Sequence, residues 1–292
     1  VRGAAPAPER SFLVGLIGAG IGPSLTPALH EREAGALGRR LVYRTIDIDV
    51  LNLPPEAVGE LVRSAPRYGF DGLNITHPCK QLVLPHLDGL APDAAALGAV
   101  NTVVFGGGAA VGHNTDWSGF LGALDAGLPG ARRDRVVLLG AGGAGAAVAH
   151  ALFTAGTGGL AVFDPDAGRA RDLVRGLRER FPDRACAAVG PGDLAWALAR
   201  ADGLVNATPV GMADHPGLPL EAGLLDPSVW VADLVYRPLR TALVAEAERI
   251  GCRVLPGGRM AVLQAVEAFE LITRLAPDPE RMSAHFAELT AG

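Results

Sequence analysis

Short apolar runs alternate with amphipathic stretches along almost the whole chain. Phe12–Gly18, Val42–Ile48 and Asp71–Thr76 are apolar, bounded by Gly, Pro or Asp, and read as strands. Between them, Pro27–Leu37 and Pro55–Tyr68 carry helical spacing. The apolar pieces Val100–Phe105 and Ala110–His113 flank Gly106-Gly107-Gly108 and predict a hairpin. A second series starts near Trp117. It predicts strands at Arg135–Gly140, Leu160–Phe163, Ala185–Val189, Leu204–Ala207, Val229–Val235 and Arg253–Leu255. Its helices fall at Gly145–Ala155, Ala167–Arg180, Leu194–Ala201 and Thr241–Ile250, and Met260–Leu275 and Glu280–Thr290 close the chain. Alternation of this kind predicts an α/β fold in two domains, broken near Trp117. No solenoid-length repeat appears.

Composition narrows the class. A chain of 292 residues, 49% apolar and 20% charged, suits two globular domains. A net charge of -5, with no Lys/Arg cluster interleaved with aromatics, removes nucleic acid as a partner. No apolar run reaches the roughly 18 residues that span a bilayer. The lead-in VRGAAPAPER lacks the apolar core of a secretory signal. Cys79, Cys186 and Cys252 are odd in number and contain no CxxC pair, which predicts free thiols in a reducing cytoplasm and no zinc site.

Gly140-Ala141-Gly142-Gly143-Ala144-Gly145 is a G-x-G-x-x-G that follows an apolar strand and opens an Ala-rich helix. The next strand ends at Asp164. That context predicts a Rossmann-like dinucleotide site, with the glycines admitting a pyrophosphate to the helix N–H groups. Asp164 can accept the ribose 2′- and 3′-hydroxyls and would repel a 2′-phosphate, which favours NAD. Arg169 could pair with that phosphate and keeps NADP open. The earlier Gly15-Leu16-Ile17-Gly18-Ala19-Gly20 has Pro23 where the third glycine belongs and no matching acid, so it reads as a loop shaping a substrate pocket.

The 26 basic residues comprise 25 arginines and a single lysine, Lys80. A chain that uses Arg wherever a positive charge suffices keeps an amine where a guanidinium would fail. An ammonium can lose its proton when its surroundings lower its pKa; a guanidinium cannot. Lys80 follows the third strand, near Thr76; Cys79 beside it reads as a packed thiol. Asn101 and Asp116 end further polar segments, and an Asp can orient a Lys for proton transfer. Ser24 and Thr26 precede a helix and suit a carboxylate; Thr26 followed by Pro27 suits an N-cap equally. His77 and His113 flank the set without a third ligand, so no metal is expected.

Ser24-Leu25-Thr26-Pro27, Asn74 through Lys80, Gly98-Ala99-Val100-Asn101-Thr102, Gly112-His113-Asn114-Thr115-Asp116, the glycine motif, Asn206 through Met212, Asp233-Leu234-Val235-Tyr236, and Gly257 through Gln264-Ala265 occur in that order. Together they resemble the shikimate dehydrogenase family, which includes the quinate/shikimate dehydrogenases, from about Leu13 to Phe269. The resemblance implies a substrate domain (1–116) completed by 258–292, and a nucleotide domain at 117–257. It implies hydride transfer between nicotinamide and the carbon bearing the ring 3-hydroxyl. Ser24 and Thr26 would hold the substrate carboxylate, and Thr76, Asn101 and Gln264 would read ring hydroxyls. Lys80 and Asp116 would be the catalytic pair, Tyr236 would line the pocket, and Leu234 and Gly257 would lie near the nicotinamide.

Two departures shape the expectation. Many family members have serine at the position of Thr26. NADP-using biosynthetic members resemble Asn-Arg-Thr-x-x-Arg after the second nucleotide strand, whereas this chain reads Asp164-Pro165-Asp166-Ala167-Gly168-Arg169. The expectation is an NAD-preferring enzyme of the quinate/shikimate branch, a cytoplasmic monomer or homodimer with a small-molecule substrate. The alternatives are an NADP-linked biosynthetic enzyme and a catalytically inactive, metabolite-sensing homologue; retained Lys80 and Asp116 weigh against the latter.

Overall fold

The structure, a computed structural model, describes residues 10–291. They fall into two compact units, one running to Asn114 and resuming at Ala265, the other Thr115–Gln264.

The first unit is built on β1 (Ser11–Gly18), α1 (Thr26–Ala36), β2 (Arg40–Asp47), α2 (Val58–Ser64), β3 (Gly72–Ile75), α3 (Cys79–Leu82), β4 (Gly89–Leu90), α4 (Pro92–Leu97), β5 (Thr102–Gly106) and β6 (Ala109–His113). The sheet order is β2-β1-β3-β5-β6-β4, with β1 parallel to both β2 and β3, and β5 antiparallel to β3 and β6. Alternation along β1 sends Phe12, Val14 and Leu16 into one core cluster and Ile17 into another, as a period of two requires for a sheet covered on both faces. Phe269 and Ile272 join the first cluster. A Cβ on Gly72 would lie 2.6 Å from Ile272, so that strand position admits only glycine without repacking. The last helix, α11 (Pro279–Thr290), is fixed to α1 by the bidentate pair of Arg281 with the buried Glu33, at 2.6 and 2.9 Å.

The second unit contains α5 (Asp116–Gly127), β7 (Arg135–Leu139), α6 (Gly143–Thr154), β8 (Gly159–Phe163), α7 (Ala167–Arg180), β9 (Ala185–Ala188), α8 (Pro191–Leu198), β10 (Gly203–Asn206), β11 (Trp230–Asp233), α9 (Ala242–Ile250) and β12 (Val254–Leu255). Its strands are all parallel, in the order β12-β11-β10-β7-β8-β9. This is the doubly wound Rossmann order, whose direction reverses between β7 and β10. The next helix, α10 (Gly258–Thr273), is divided between the units after Gln264.

Several elements differ from the sequence expectation. Pro55–Tyr68 is not one helix: α2 is flanked by 3-10 turns at Pro55–Ala57 and Ala65–Tyr68, where Pro66 supplies no N–H to an α-helical ladder. The hairpin strands start at Thr102 and Ala109. The helix α5 was unmarked because its glycines hide it. They are packing glycines: a Cβ at Gly119 would lie 2.9 Å from the Gln264 nitrogen, and one at Gly127 2.5 Å from Leu255. That packing places Thr115, Asp116 and residues 258–264 with the nucleotide unit, whereas the sequence divided the domains at 116/117 and 257/258.

Candidate active site

In the first unit, strand direction gathers the candidate residues at one sheet end. The loop to Ser24 and Thr26 leaves the C-terminal end of β1, Thr76 and Lys80 follow β3, and Asn101 precedes the antiparallel β5. Hydrogen bonds fasten these segments together. Thr76 N donates to Ile17 O (2.9 Å), Ala19 N to His77 O (2.9 Å), Ile75 N to Asn101 O (2.8 Å) and Val100 N to Lys80 O (2.9 Å). Gly18 is squeezed beneath Thr76, since a Cβ there would meet Thr76 Cγ2 at 2.3 Å. Asn101 is buried, and its Oδ1 accepts from Thr102 Oγ1 at 3.1 Å; Lys80 and Thr76 are half-buried. Burial first, and the Arg274 guanidinium second, hold His113 below its ordinary pKa, consistent with a neutral ring.

The two readings of Ser24 and Thr26 separate here. Thr26 is the first residue of α1 and Leu25 stands at the N-cap, with no side chain capping the helix. Ser24 Oγ accepts instead from Thr26 N at 3.3 Å. Ser24 Oγ thus takes the first N–H of α1, and the N-cap residue Leu25 has no polar side chain to cover the N–H groups that follow, which suits an anion site.

In the second unit the glycine-rich turn lies at the switch point. Gly140 has φ +96° and a Cβ there would come within 2.8 Å of the Ala207 backbone, so the turn lies directly against the end of β10. Nothing lies within 4 Å of a Cβ built on Gly142 or Gly143, the exposed positions at the α6 start. That open cradle of backbone, with half-buried Ala141 and Ala144 beside it, fits a dinucleotide pyrophosphate. Gly145 is the tightest point: its Cβ would lie 2.0 Å from Gly140 O. Gly145→Ala should lower stability by about 1–3 kcal/mol through overpacking and weaken dinucleotide binding, which thermal unfolding and a fluorescence titration with NAD measure.

Asp164, at the tip of β8, accepts from Ala141 N (2.8 Å) and Asp166 N (2.9 Å). It therefore buttresses the glycine turn, and each oxygen keeps a second lone pair for a ribose hydroxyl. Asp166 caps α7 by accepting from Gly168 N (2.8 Å) and Arg169 N (3.4 Å), and its carboxylate faces the Arg169 guanidinium at 3.7 Å. Asp116, buried, opens α5; beside it Thr115 Oγ1 donates to Gln264 O at 3.1 Å. Half-buried Leu234 and Tyr236 follow β11, and a Cβ on Gly257 would meet Leu234 O at 2.5 Å.

Two groups were not singled out from the sequence. Asp233 is buried and joins three segments: it accepts from Asn206 Nδ2 (2.9 Å), Thr241 Oγ1 (2.6 Å) and Val235 N (3.1 Å). Burial raises its pKa against the opposing pull of those three bonds. Asn206 Oδ1 also fixes Thr208, and Leu234 N donates to Asn206 O at 2.9 Å. Asp47, at the end of β2, grips the loop after β1: Ile21 N donates to Oδ2 (2.8 Å), and Gly20 N to Oδ1 (3.2 Å). Both networks join residues distant in sequence, so the roles of these acids are not readable locally, although Asn206 and Asp233 each lie in a segment that carries the family resemblance. Among the described residues no cluster of three or more His, Cys, Asp or Glu side chains could hold a metal ion, and no helix is long and apolar enough to cross a membrane.

Residues 16–103 match the family model described as the shikimate dehydrogenase substrate binding domain. Over 281 residues the chain is 62% identical to the shikimate dehydrogenase (NADP(+)) of Streptomyces avermitilis, covering 96% of this chain and 97% of that protein. The chain belongs to the shikimate dehydrogenase family. A second member, the quinate/shikimate dehydrogenase (NAD(+)) of Corynebacterium efficiens, is 48% identical over 280 residues, covering 96% of this chain and 99% of that protein. Among solved structures, quinate dehydrogenase from Corynebacterium glutamicum in complex with NAD superposes with a TM-score of 0.90 at 46% identity, covering 95% of this chain and 99% of that one. The family thus spans both nicotinamide dinucleotides at high similarity to this chain.

Proposed function

We propose that the chain is an NAD-preferring dehydrogenase that interconverts shikimate with 3-dehydroshikimate, quinate with 3-dehydroquinate, or both. The observation that carries this reading is the gathering of Ser24, Thr26, Thr76, Lys80 and Asn101 at one sheet end of a chain that also bears the dinucleotide turn at the β7/β10 switch point. A nicotinamide dinucleotide, when bound, supplies the hydride acceptor or donor. The Ser24 and Thr26 hydroxyls donate to the substrate carboxylate, aided by the uncapped start of α1. Thr76, Asn101 and Gln264 hydrogen-bond the ring hydroxyls, and Tyr236 lines the pocket. Lys80 Nζ takes the proton of the 3-hydroxyl as its carbon is oxidised and returns it on reduction; Asp116 is the carboxylate that orients the amine. On the nucleotide side, Gly140 to Ala144 cradle the pyrophosphate, Asp164 reads the ribose, and Leu234 and Gly257 flank the nicotinamide. Three buried free thiols fit a reducing, cytoplasmic setting.

A second reading, an NADP-linked biosynthetic shikimate dehydrogenase, is favoured by the 62% identical relative with that name and by the retained Arg169. Steady-state rates with shikimate and quinate, each with NAD and NADP, separate the two. Turnover of at least one acid with NAD is expected. No nicotinamide reduction with either acid would instead support the inactive, metabolite-sensing reading.

A further inference from the structure

We infer that Asp47 is a positioning residue for the substrate-carboxylate loop, an assignment that rests on the functional reading above. A continuous relay runs from its carboxylate to the two hydroxyl residues. Asp47 Oδ2 accepts from Ile21 N (2.8 Å), Ile21 O accepts from Ser24 N (3.0 Å), and Ser24 Oγ accepts from Thr26 N (3.3 Å). The other oxygen, Oδ1, accepts from Gly20 N (3.2 Å) and from Asp49 N (3.1 Å).

The loop needs such an anchor. Gly20 has φ +62°, and exposed Gly22 and Pro23 precede Ser24, so the segment has little packing of its own. Ile21 is buried in the β1 core cluster and gives the loop an apolar foothold. Its other end is tied by Ile48 N to Gly18 O at 2.9 Å and by Ala19 N to His77 O at 2.9 Å. The Asp47 carboxylate bridges the tied end to the stretch that leads to Ser24, and it accepts there from backbone N–H groups. Burial works to raise the Asp47 pKa, but the backbone N–H groups of Ile21, Asp49, Gly20 and Val50 outweigh it and hold the group below its ordinary value, so it stays charged.

Asparagine at this position offers one acceptor oxygen and one amide donor. Whichever way the amide turns, a donor faces a backbone N–H, and the loop loses Ile21 or the Gly20/Asp49 pair. The expected result for Asp47→Asn is a KM for shikimate or quinate raised about tenfold with kcat within about threefold of wild type. The neutral methyl ester of the same acid, which lacks the carboxylate charge, should be turned over with nearly the same KM by wild type and variant. A general loss of fold would raise both alike. NAD affinity and the thermal midpoint are measured alongside, and Asp47→Ser serves as the second variant should Asp47→Asn fold poorly. Wild-type turnover with an unchanged acid KM in the variants, or equal losses for acid and ester, overturns the Asp47 assignment alone. Absence of wild-type turnover of either acid overturns the functional reading, and this assignment falls with it.

Discussion

Lys80→Arg should lose about 10²–10⁴ in kcat, the range of a general acid–base contribution, while the KM for the acid changes far less. The two side chains carry the same charge and similar reach, so a lysine that only gripped substrate would tolerate the exchange. A guanidinium stays protonated at any working pH and cannot receive the 3-hydroxyl proton. The backbone bond made at this position does not depend on which side chain it carries. Lys80 lies on the short helix α3 and its carbonyl, not its side chain, is what Val100 N binds at 2.9 Å. Cys79→Ala makes a suitable neighbouring control, because that thiol is wholly buried among core residues and contributes packing. Its loss should appear in the thermal midpoint and leave kcat near wild type. Turnover by Lys80→Arg within a few-fold of wild type would remove proton transfer from Lys80 and leave it as a binding group.

How far the chain announces this chemistry depends on how local each signal is. Strands such as β1 and β7 were legible because their apolar runs end at turn residues. The glycine turn was legible because strand, glycines, helix and acid all fall within about 30 residues, the length of one βαβ unit. The bounds of α7 match the reading, as an amphipathic helix capped by Asp166 should. What failed was either short or held by distant partners. The one-turn helix α3 and two-residue β4 are too brief to show a period. The glycines of α5 lower helix propensity, and their cause is close packing against Leu255, Leu263 and Gln264, more than a hundred residues later in the chain. Thr26 and Pro27 read as a cap and first turn, yet the helix starts one residue earlier and is capped by no side chain. Asp47 and Asp233 do their work across 26 and 27 residues, so each looks like a strand-end acid until the sheet is assembled.

With saturating acid, kcat/KM for NAD should exceed that for NADP by about 10²-fold, because bringing a 2′-phosphate against fixed like charge costs several kcal/mol. Two acids stand where the adenosine ribose is assigned. Asp164 is fixed there by its bonds from Ala141 N and Asp166 N and cannot swing away without releasing the glycine turn. Asp166 satisfies the first N–H groups of α7, so the positive end of that helix is already taken by a carboxylate. Arg169, the cation assigned to a 2′-phosphate in the NADP reading, is largely exposed and faces Asp166 at 3.7 Å. The difference should lie mainly in KM, since the 2′-position is remote from the reacting carbon, and should shrink as salt screens the repulsion. Asp164→Ser combined with Pro165→Arg removes one charge, keeps an acceptor for Ala141 N, and adds a guanidinium beside the ribose. That pair of substitutions should bring the NAD/NADP ratio near or below unity. A wild type that uses NADP as well as NAD would show that Arg169 leaves Asp166 for the phosphate on binding, and the preference argued from these two acids would be wrong.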